Sequence, residues 1–290
     1  MNEIRQFQEF TQERGLPIPE VHADGVIHRI YCEGDKRGTK NLWYVFFSYP
    51  VAAGAVGSWK TGESHKWCSR SKEQMTQEDR EALKRQYREA RQKRASDEVK
   101  KQRNAAAKAQ HIINRAKPVS PDFGYIINKH IKSNSLKVYK GSIVVELRDA
   151  DGVLWSVQFI KPNGAKFFLS GGRIKGVFHI FGEINPDGVI YIAEGVSTAA
   201  TIFEWKGQAT VAAMNAGNLL VVGLEIRQKY PRVSMVFAAD NDRFNKAGNV
   251  GKLKAEEAAR ACNAKVLIPE FPENSTGTDW NDLFVEQGYL

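Results

Sequence analysis

Val189-Ile190-Tyr191-Ile192-Ala193-Glu194-Gly195 is the stretch on which the fold turns. Five apolar residues without alternation, closed by an acid and a glycine, read as a strand buried on both faces. The same punctuation recurs downstream. Val233-Ser234-Met235-Val236-Phe237 runs on to Asp240-Asn241-Asp242, and Asp279-Trp280-Asn281-Asp282 stands near the end. Around these marks, strand patterns at about 189–193, 209–214, 232–239 and 264–268 alternate with helical patterns at about 197–205, 219–229 and 250–262. Such alternation predicts an α/β fold, with a mostly parallel sheet and helices on its faces. In open sheets of this kind ligands and metals gather at the carboxyl ends of the strands.

Glu194, Asp240 and Asp242 are therefore expected to meet at the lip of the sheet. The intervening Asn241 puts the two aspartates on the same side of an extended chain. Any one of these acids has an ordinary explanation as a helix cap or turn residue, but three acidic marks in succession, at Glu194, at Asp240 with Asp242, and at Asp279 with Asp282, point to a shared site. Crowded carboxylates repel unless a cation lies between them, and ligation by oxygen alone suits Mg²⁺ or Mn²⁺. Gly248-Asn249-Val250-Gly251-Lys252 has neither the spacing nor the Ser or Thr of a phosphate-binding loop, so no ATPase motor is expected.

Working back toward the N-terminus, Ser142–Leu147 and Leu154–Ile160 alternate around Asp149-Ala150-Asp151-Gly152 and read as a hairpin. A short helical pattern around Gly124–His130 precedes it. A basic, Gly-rich passage follows, in which Lys161, Lys166, Arg173 and Lys175 sit on or beside strands and turns that let a backbone approach phosphate. The plainer reading of these cations is a solvated hairpin edge.

From Ser71 to about Ala116 the composition shifts to Lys, Arg, Glu, Gln and Ala. Thr76-Gln77-Glu78-Asp79 offers a capping box, and the stretch reads as one long helix or as two with a break near Ser96-Asp97. Between Lys72 and Lys117, fourteen basic residues face seven acidic ones, which is most of the chain's net charge of +9. The polyanion signal is thus local to this helix, with Arg88, Arg91 and Arg94 its nucleic-acid-binding candidates; a charged connector between domains explains the same composition. Residues 20–70 alternate aromatic and polar side chains among Gly turns and predict a small antiparallel β module. Trp43, Tyr44, Phe46, Phe47, Trp59 and Trp67 read mainly as its core, with one or two free to stack on bases. His28 with Cys32, and His65 with Cys68, each lack a second cysteine, so zinc is not expected there.

Four parts follow: an aromatic-rich β module (1–70), a basic helical connector (71–117), a strand-rich subdomain (118–187) and an α/β catalytic domain (188–290). Three scattered cysteines in 290 residues argue against a disulfide framework. No apolar run long enough to span a membrane exists, and the first residues lack the apolar core of a signal peptide, so a cytoplasmic protein without a membrane partner is expected.

Ile190–Gly195 followed by a helix, Val236–Asp242, and Thr276-Gly277-Thr278-Asp279-Trp280-Asn281-Asp282 together resemble the Toprim domain of bacterial-type primases. The last of these is similar to the ending found in Toprim primases of plasmids and phages. Asp24-Gly25, Gly34–Gly38, Trp43-Tyr44, Gln158–Phe168 and Gly171-Gly172-Arg173 are similar to upstream regions of the same mobile-element proteins. The resemblance implies a Toprim-type sheet with flanking helices, preceded by the β-rich subdomain, the long basic helix and the N-terminal β module. It implies a DNA primase that makes short RNA primers on single-stranded DNA from ribonucleoside triphosphates, with Mg²⁺ or Mn²⁺ and with a separate replicative helicase as a further partner. Glu194 falls on the catalytic glutamate and Asp240 with Asp242 on the metal pair. Asp279 and Asp282 match the late acids, and Lys161, Lys166, Arg173 and Lys175 fall where nucleotide or template is bound. The acid that bacterial primases commonly carry four residues after the glutamate is replaced by Thr198. A Toprim nuclease and a non-catalytic nucleic-acid-binding accessory are the alternatives.

Overall fold

The computed structural model describes residues 2–71, 73–245 and 248–288; Lys72, counted above among the basic residues, lies outside them. The chain divides into two compact units, Met1–Glu98 and Val99–Leu290. In the first, α1 (Asn2–Gln12) packs on a four-stranded antiparallel sheet of β1 (His28–Ile30), β2 (Leu42–Phe47), β3 (Ala53–Ser58) and β4 (Ser64–Cys68). Alternation selects the faces. Leu42, Tyr44, Phe46 and Val56 point to the α1 side and enclose Phe7. α1 was not expected; Ile4, Phe7 and Thr11 recur on one helical face, but the rest of the segment is polar.

α2 (Gln77–Arg115) is one continuous helix of 39 residues, without a break at Ser96. Its start is a reciprocal cap: Asp79 N–H donates to Thr76 Oγ1 at 3.1 Å and Thr76 N–H to Asp79 Oδ2 at 3.2 Å. Only Ala105, Ala109 and Ile113 are buried along it, and the last two pack on Val144, Leu154 and Val157 in the second unit.

The second unit holds two sheets. β5 (Lys117–Pro118), β6 (Lys137–Tyr139), β7 (Ser142–Arg148), β8 (Leu154–Ile160) and β9 (Lys166–Phe168) form an antiparallel sheet in sequence order, with α3 (Gly124–Lys129) between its first two strands. The other sheet has the order β10 (His179–Phe181), β12 (Thr210–Ala212), β11 (Val189–Ala193), β13 (Ser234–Ala238), β14 (Lys265–Leu267). All of its pairs are parallel except β10 on β12. β10 was not foreseen, because three residues after a Gly-rich passage carry no periodicity.

The crossovers are α4 (Val196–Lys206), α5 (Leu219–Lys229) and α6 (Val250–Ala261), and α7 (Trp280–Glu286) follows β14. α5 and α6 cover one face, over Ile190, Ile192, Met235 and Phe237. α4 and α7 cover the other, in a core shared with Ile143, Val145, Leu147 and Ile160 of the antiparallel sheet. The two sheets of this unit therefore share one core. Among the described residues no helix is long and apolar enough to cross a membrane.

His179 belongs to this joint. Its Nδ1 lies 3.2 Å from the carbonyl oxygen of Glu146 and its ring meets Phe181 edge-on, while Nε2 is enclosed without a hydrogen-bond partner. Burial lowers its pKa from 6.5 to about 4. The folded protein keeps this imidazole neutral where the unfolded chain takes up a proton, so stability present above pH 6.5 is lost as pH falls toward 4. That loss should reach about 3 kcal/mol. Urea unfolding at stepped pH is expected to show this slope in the wild type and to lose it in His179→Gln; equal slopes would contradict the assignment.

Candidate active site

β11 is the centre of the parallel sheet, with the next strand in sequence on one side and the following one on the other. Such a reversal opens a crevice at the carboxyl ends of the strands. β11 and β13 pair in parallel with Ala193 opposite Ala238, which sets Glu194 beside the Ala239-Asp240 turn. The convergence expected from the sequence is therefore a matter of register.

Asp240 sits at the focus. Its Oδ1 is fully enclosed and has no hydrogen-bond partner. Burial, followed by the carboxylates of Glu194, Asp279, Asp242 and Asp282, pushes its pKa up to about 8. Glu194 is also raised, by burial first and by Asp242 next; the Ala216 N–H and the Lys166 ammonium work the other way.

The loop that carries the pair is held by asparagines. Asn241 receives a bond from Asn249 Nδ2 (2.8 Å), donates through Nδ2 to the Pro269 carbonyl (3.0 Å), and its N–H meets the Thr278 carbonyl (2.6 Å). Asn249 Oδ1 caps α6 through Lys252 N–H and also accepts from Asp242 N–H. Gly251 brings the first turn of α6 close: a Cβ there would meet Asp240 Cβ and O at 3.2 Å and Asp242 Oδ2 at 3.3 Å. The positive end of the helix dipole is thereby set against the aspartates. The segment rejected as a phosphate-binding loop thus has a different part, as a cradle for Asp240 and Asp242.

The late acids behave differently. Asp279 Oδ1 accepts from Asp282 N–H at 2.8 Å and caps α7. Asp282 Oδ1 pairs with Lys129 Nζ at 3.2 Å, and its Oδ2 accepts from Thr278 N–H at 3.1 Å. Burial pushes Asp282 up, but the Thr278 N–H and Lys129 together hold it below the usual carboxylate range. Among the described residues, no three of His, Cys, Asp and Glu converge closely enough to hold an ion. Asp279 and Asp282 are engaged by a helix N-terminus and by an ammonium.

Of the basic residues, Lys166 reaches the site: it acts on Glu194 and lies 5.7 Å from the Tyr125 ring. Arg173 is engaged elsewhere, bonding the Lys175 carbonyl, standing 3.5 Å from Glu225 and 3.9 Å from Asp149, and covering Trp155. Lys161 lies 6.0 Å from the Phe167 ring, and Lys175 is exposed. Arg88, Arg91 and Arg94 are exposed on α2. Thr198, in the position of the missing acid, is buried on α4. In the first unit Tyr44, Phe46 and Phe47 are buried, whereas Trp59 is half exposed under Arg29. His28 Nε2 lies 3.0 Å from both oxygens of Asp24, and His65 Nε2 lies 3.5 Å from Glu63.

Residues 189–289 match the family described as the Toprim domain. That match covers 101 of the 290 residues. Glu194, which follows β11, and Asp240 and Asp242, which follow β13, lie within the matched stretch. Upstream of the Toprim domain the likeness continues. Two Escherichia coli proteins, both named DNA primase TraC, are 34% identical over 265 residues and 30% identical over 257 residues, in each case across 86% of this chain. The chain spans only 24% and 18% of their lengths. Among solved structures, the primase fragment of the bacteriophage T7 primase-helicase aligns with 60% of this chain and 75% of its own, at 17% identity and a TM-score of 0.43.

The donor set suits a hard divalent cation. Asp240 offers an enclosed oxygen with no partner, inside a ring of like charges that a cation would neutralise.

Proposed function

We propose that this chain is a primase of the mobile-element type, which joins ribonucleotides into short RNA primers on single-stranded DNA. The observation that carries the reading is Asp240, a carboxylate enclosed among four others at the switch point of a Toprim sheet. The 34% identity to a protein named DNA primase over most of this chain supports it.

Asp240 and Asp242 would hold the ion beside Glu194, and the Lys166 charge acts on Glu194. A Mg²⁺ or Mn²⁺ ion bound there would supply positive charge for the triphosphate and acidify the attacking 3′-hydroxyl. The 3′-oxygen forms a bond to the α-phosphorus, the bond from that phosphorus to the β-bridging oxygen breaks, and pyrophosphate departs. Glu194, whose carboxyl burial raises above its usual range, takes the hydroxyl proton. Lys166 holds the phosphate by charge, and the enclosed crevice strengthens each of these interactions. A separate helicase completes the scheme as the partner that opens the duplex.

The test is incubation with single-stranded DNA, labelled ribonucleotides and Mg²⁺ or Mn²⁺, beside Glu194→Gln. RNA oligomers that need the metal and vanish in the variant are expected. Shortened DNA would instead identify a nuclease, and DNA retention without either product a binding accessory. If α2 tracks the DNA backbone, replacing Arg88, Arg91 and Arg94 with Gln should flatten the dependence of log K on log salt by about 2, since each single-strand phosphate that an arginine neutralises adds about 0.7 to that slope. An unchanged slope would leave α2 a connector.

A further inference from the structure

We propose that Lys129 is a tethered cation that neutralises Asp279 and Asp282 in place of a second metal ion, so that the site takes a single divalent ion, at Asp240 and Asp242. The inference rests on the reading of the carboxylate cluster as a cation site, and it sets how many ions that site holds.

Five acids at one crevice suggest room for two ions, and their occupancy argues otherwise. Lys129 ends α3, in the antiparallel part of the second unit, 153 residues from the aspartate it meets. Two consecutive residues of α7 grip it. Asn281 Nδ2 donates to the Lys129 carbonyl at 2.6 Å and to Thr201 Oγ1 at 2.9 Å, while Asp282 Oδ1 receives the ammonium at 3.2 Å. The backbone and the charged tip of one lysine are thus fixed together. That is more than a surface ion pair offers, since such a pair must order both long side chains by itself.

On this side Asp282 has both oxygens engaged and Asp279 has one. Asp282 gives Oδ1 to Lys129 and Oδ2 to the Thr278 N–H and hydroxyl. Asp279 Oδ1 caps α7. Asp240 alone of the group has an enclosed oxygen that nothing meets. A second divalent ion beside Asp282 would face a fixed ammonium, and like charges at that separation repel strongly where water is scarce. Lys129 feels the pair from its own side: burial disfavours its charge, yet the Asp279 and Asp282 carboxylates raise it above the usual lysine range. Lys129 is a positioning residue, since it touches Asp282 and no reacting atom.

Mn²⁺ titration of the whole chain, with free ion counted by electron paramagnetic resonance, tests this without reference to activity. The wild type is expected to bind one Mn²⁺ per chain. Asp282→Asn should keep that ion at similar affinity, and Lys129→Arg should leave the count at one. Lys129→Met, which keeps the side-chain length and removes the charge, should admit a second ion. Two ions of similar affinity in the wild type, no bound ion at all, loss of the ion in Asp282→Asn, or an unchanged count in a folded Lys129→Met would each overturn the proposal. If Lys129→Met fails to fold, Asp282→Asn and the wild-type count still decide it. One bound ion without primer synthesis would defeat the proposed activity and leave the role of Lys129 intact.

Discussion

Asp240→Asn is expected to make the metal-free protein more stable while removing its response to divalent ions. Asp240 is only partly exposed, its Oδ1 is enclosed, and four carboxylates surround it, so its pKa stands at about 8 against 3.8 in the unfolded chain. A raised pKa means that the folded state holds a proton that the unfolded state has released. Stability is therefore full below pH 3.8 and declines as pH rises toward 8, by about 1.4 kcal/mol per unit at most. Asparagine is neutral in both states and escapes the decline. With allowance for partial exposure, the variant should gain on the order of 3 kcal/mol at neutral pH, and less as pH falls. Added Mn²⁺ should raise the melting temperature of the wild type by binding only the folded state and leave the variant unmoved. Primer synthesis should fall by about 10²–10³-fold or more. Thermal melts at two pH values, with and without Mn²⁺, read both effects; an unstabilised variant would mean that Asp240 is not strained by its neighbours.

Asn218→Ala is expected to be the most damaging single change away from the carboxylates. The side chain is buried and makes four hydrogen bonds. Its Oδ1 accepts from Gly176 N–H at 2.9 Å, and its Nδ2 donates to the carbonyls of Ile174 (3.1 Å), Val177 (3.0 Å) and Ala213 (2.8 Å). One amide thus ties the Gly-rich passage before β10 to the end of β12. Alanine would remove this partner from the Gly176 N–H and from the Val177 and Ala213 carbonyls, while the Ile174 carbonyl keeps the Val177 N–H, a loss of about 3–5 kcal/mol allowing for relaxation and entry of water. Asp would not rescue it, because a carboxylate would face three carbonyl oxygens. A drop below about 1 kcal/mol in urea unfolding would show that water replaces the amide freely.

Asn218 also shows where sequence reading stops. The parallel sheet was legible because β11 and β13 are apolar runs closed by acids, and a helical pattern stood between strands at Leu219–Lys229, where Leu219, Val222, Gly223 and Ile226 form the buried face. Register then brings Glu194 and Asp240 together without further information, since strands that pair in parallel end side by side. Contacts between distant segments left no such trace. The bonds of Asn218 span about forty residues and those of Lys129 about a hundred and fifty, and a lone asparagine or lysine has no period. The partners of Arg173 are of the same kind: the folded chain brings Asp149 and Glu225 to it, and no local pattern announces either. Asp279 caps a helix and Asp282 meets an ammonium, and residue type alone announces neither contact.

Anomalous diffraction from crystals soaked in Mn²⁺ tests the central claim most directly. A single strong peak is predicted within ligand distance of Asp240 and Asp242, beside Glu194, with none between Asp279 and Asp282. A peak centred on Asp279 and Asp282 with Lys129 displaced, or no peak among the carboxylates at saturating Mn²⁺, would contradict it.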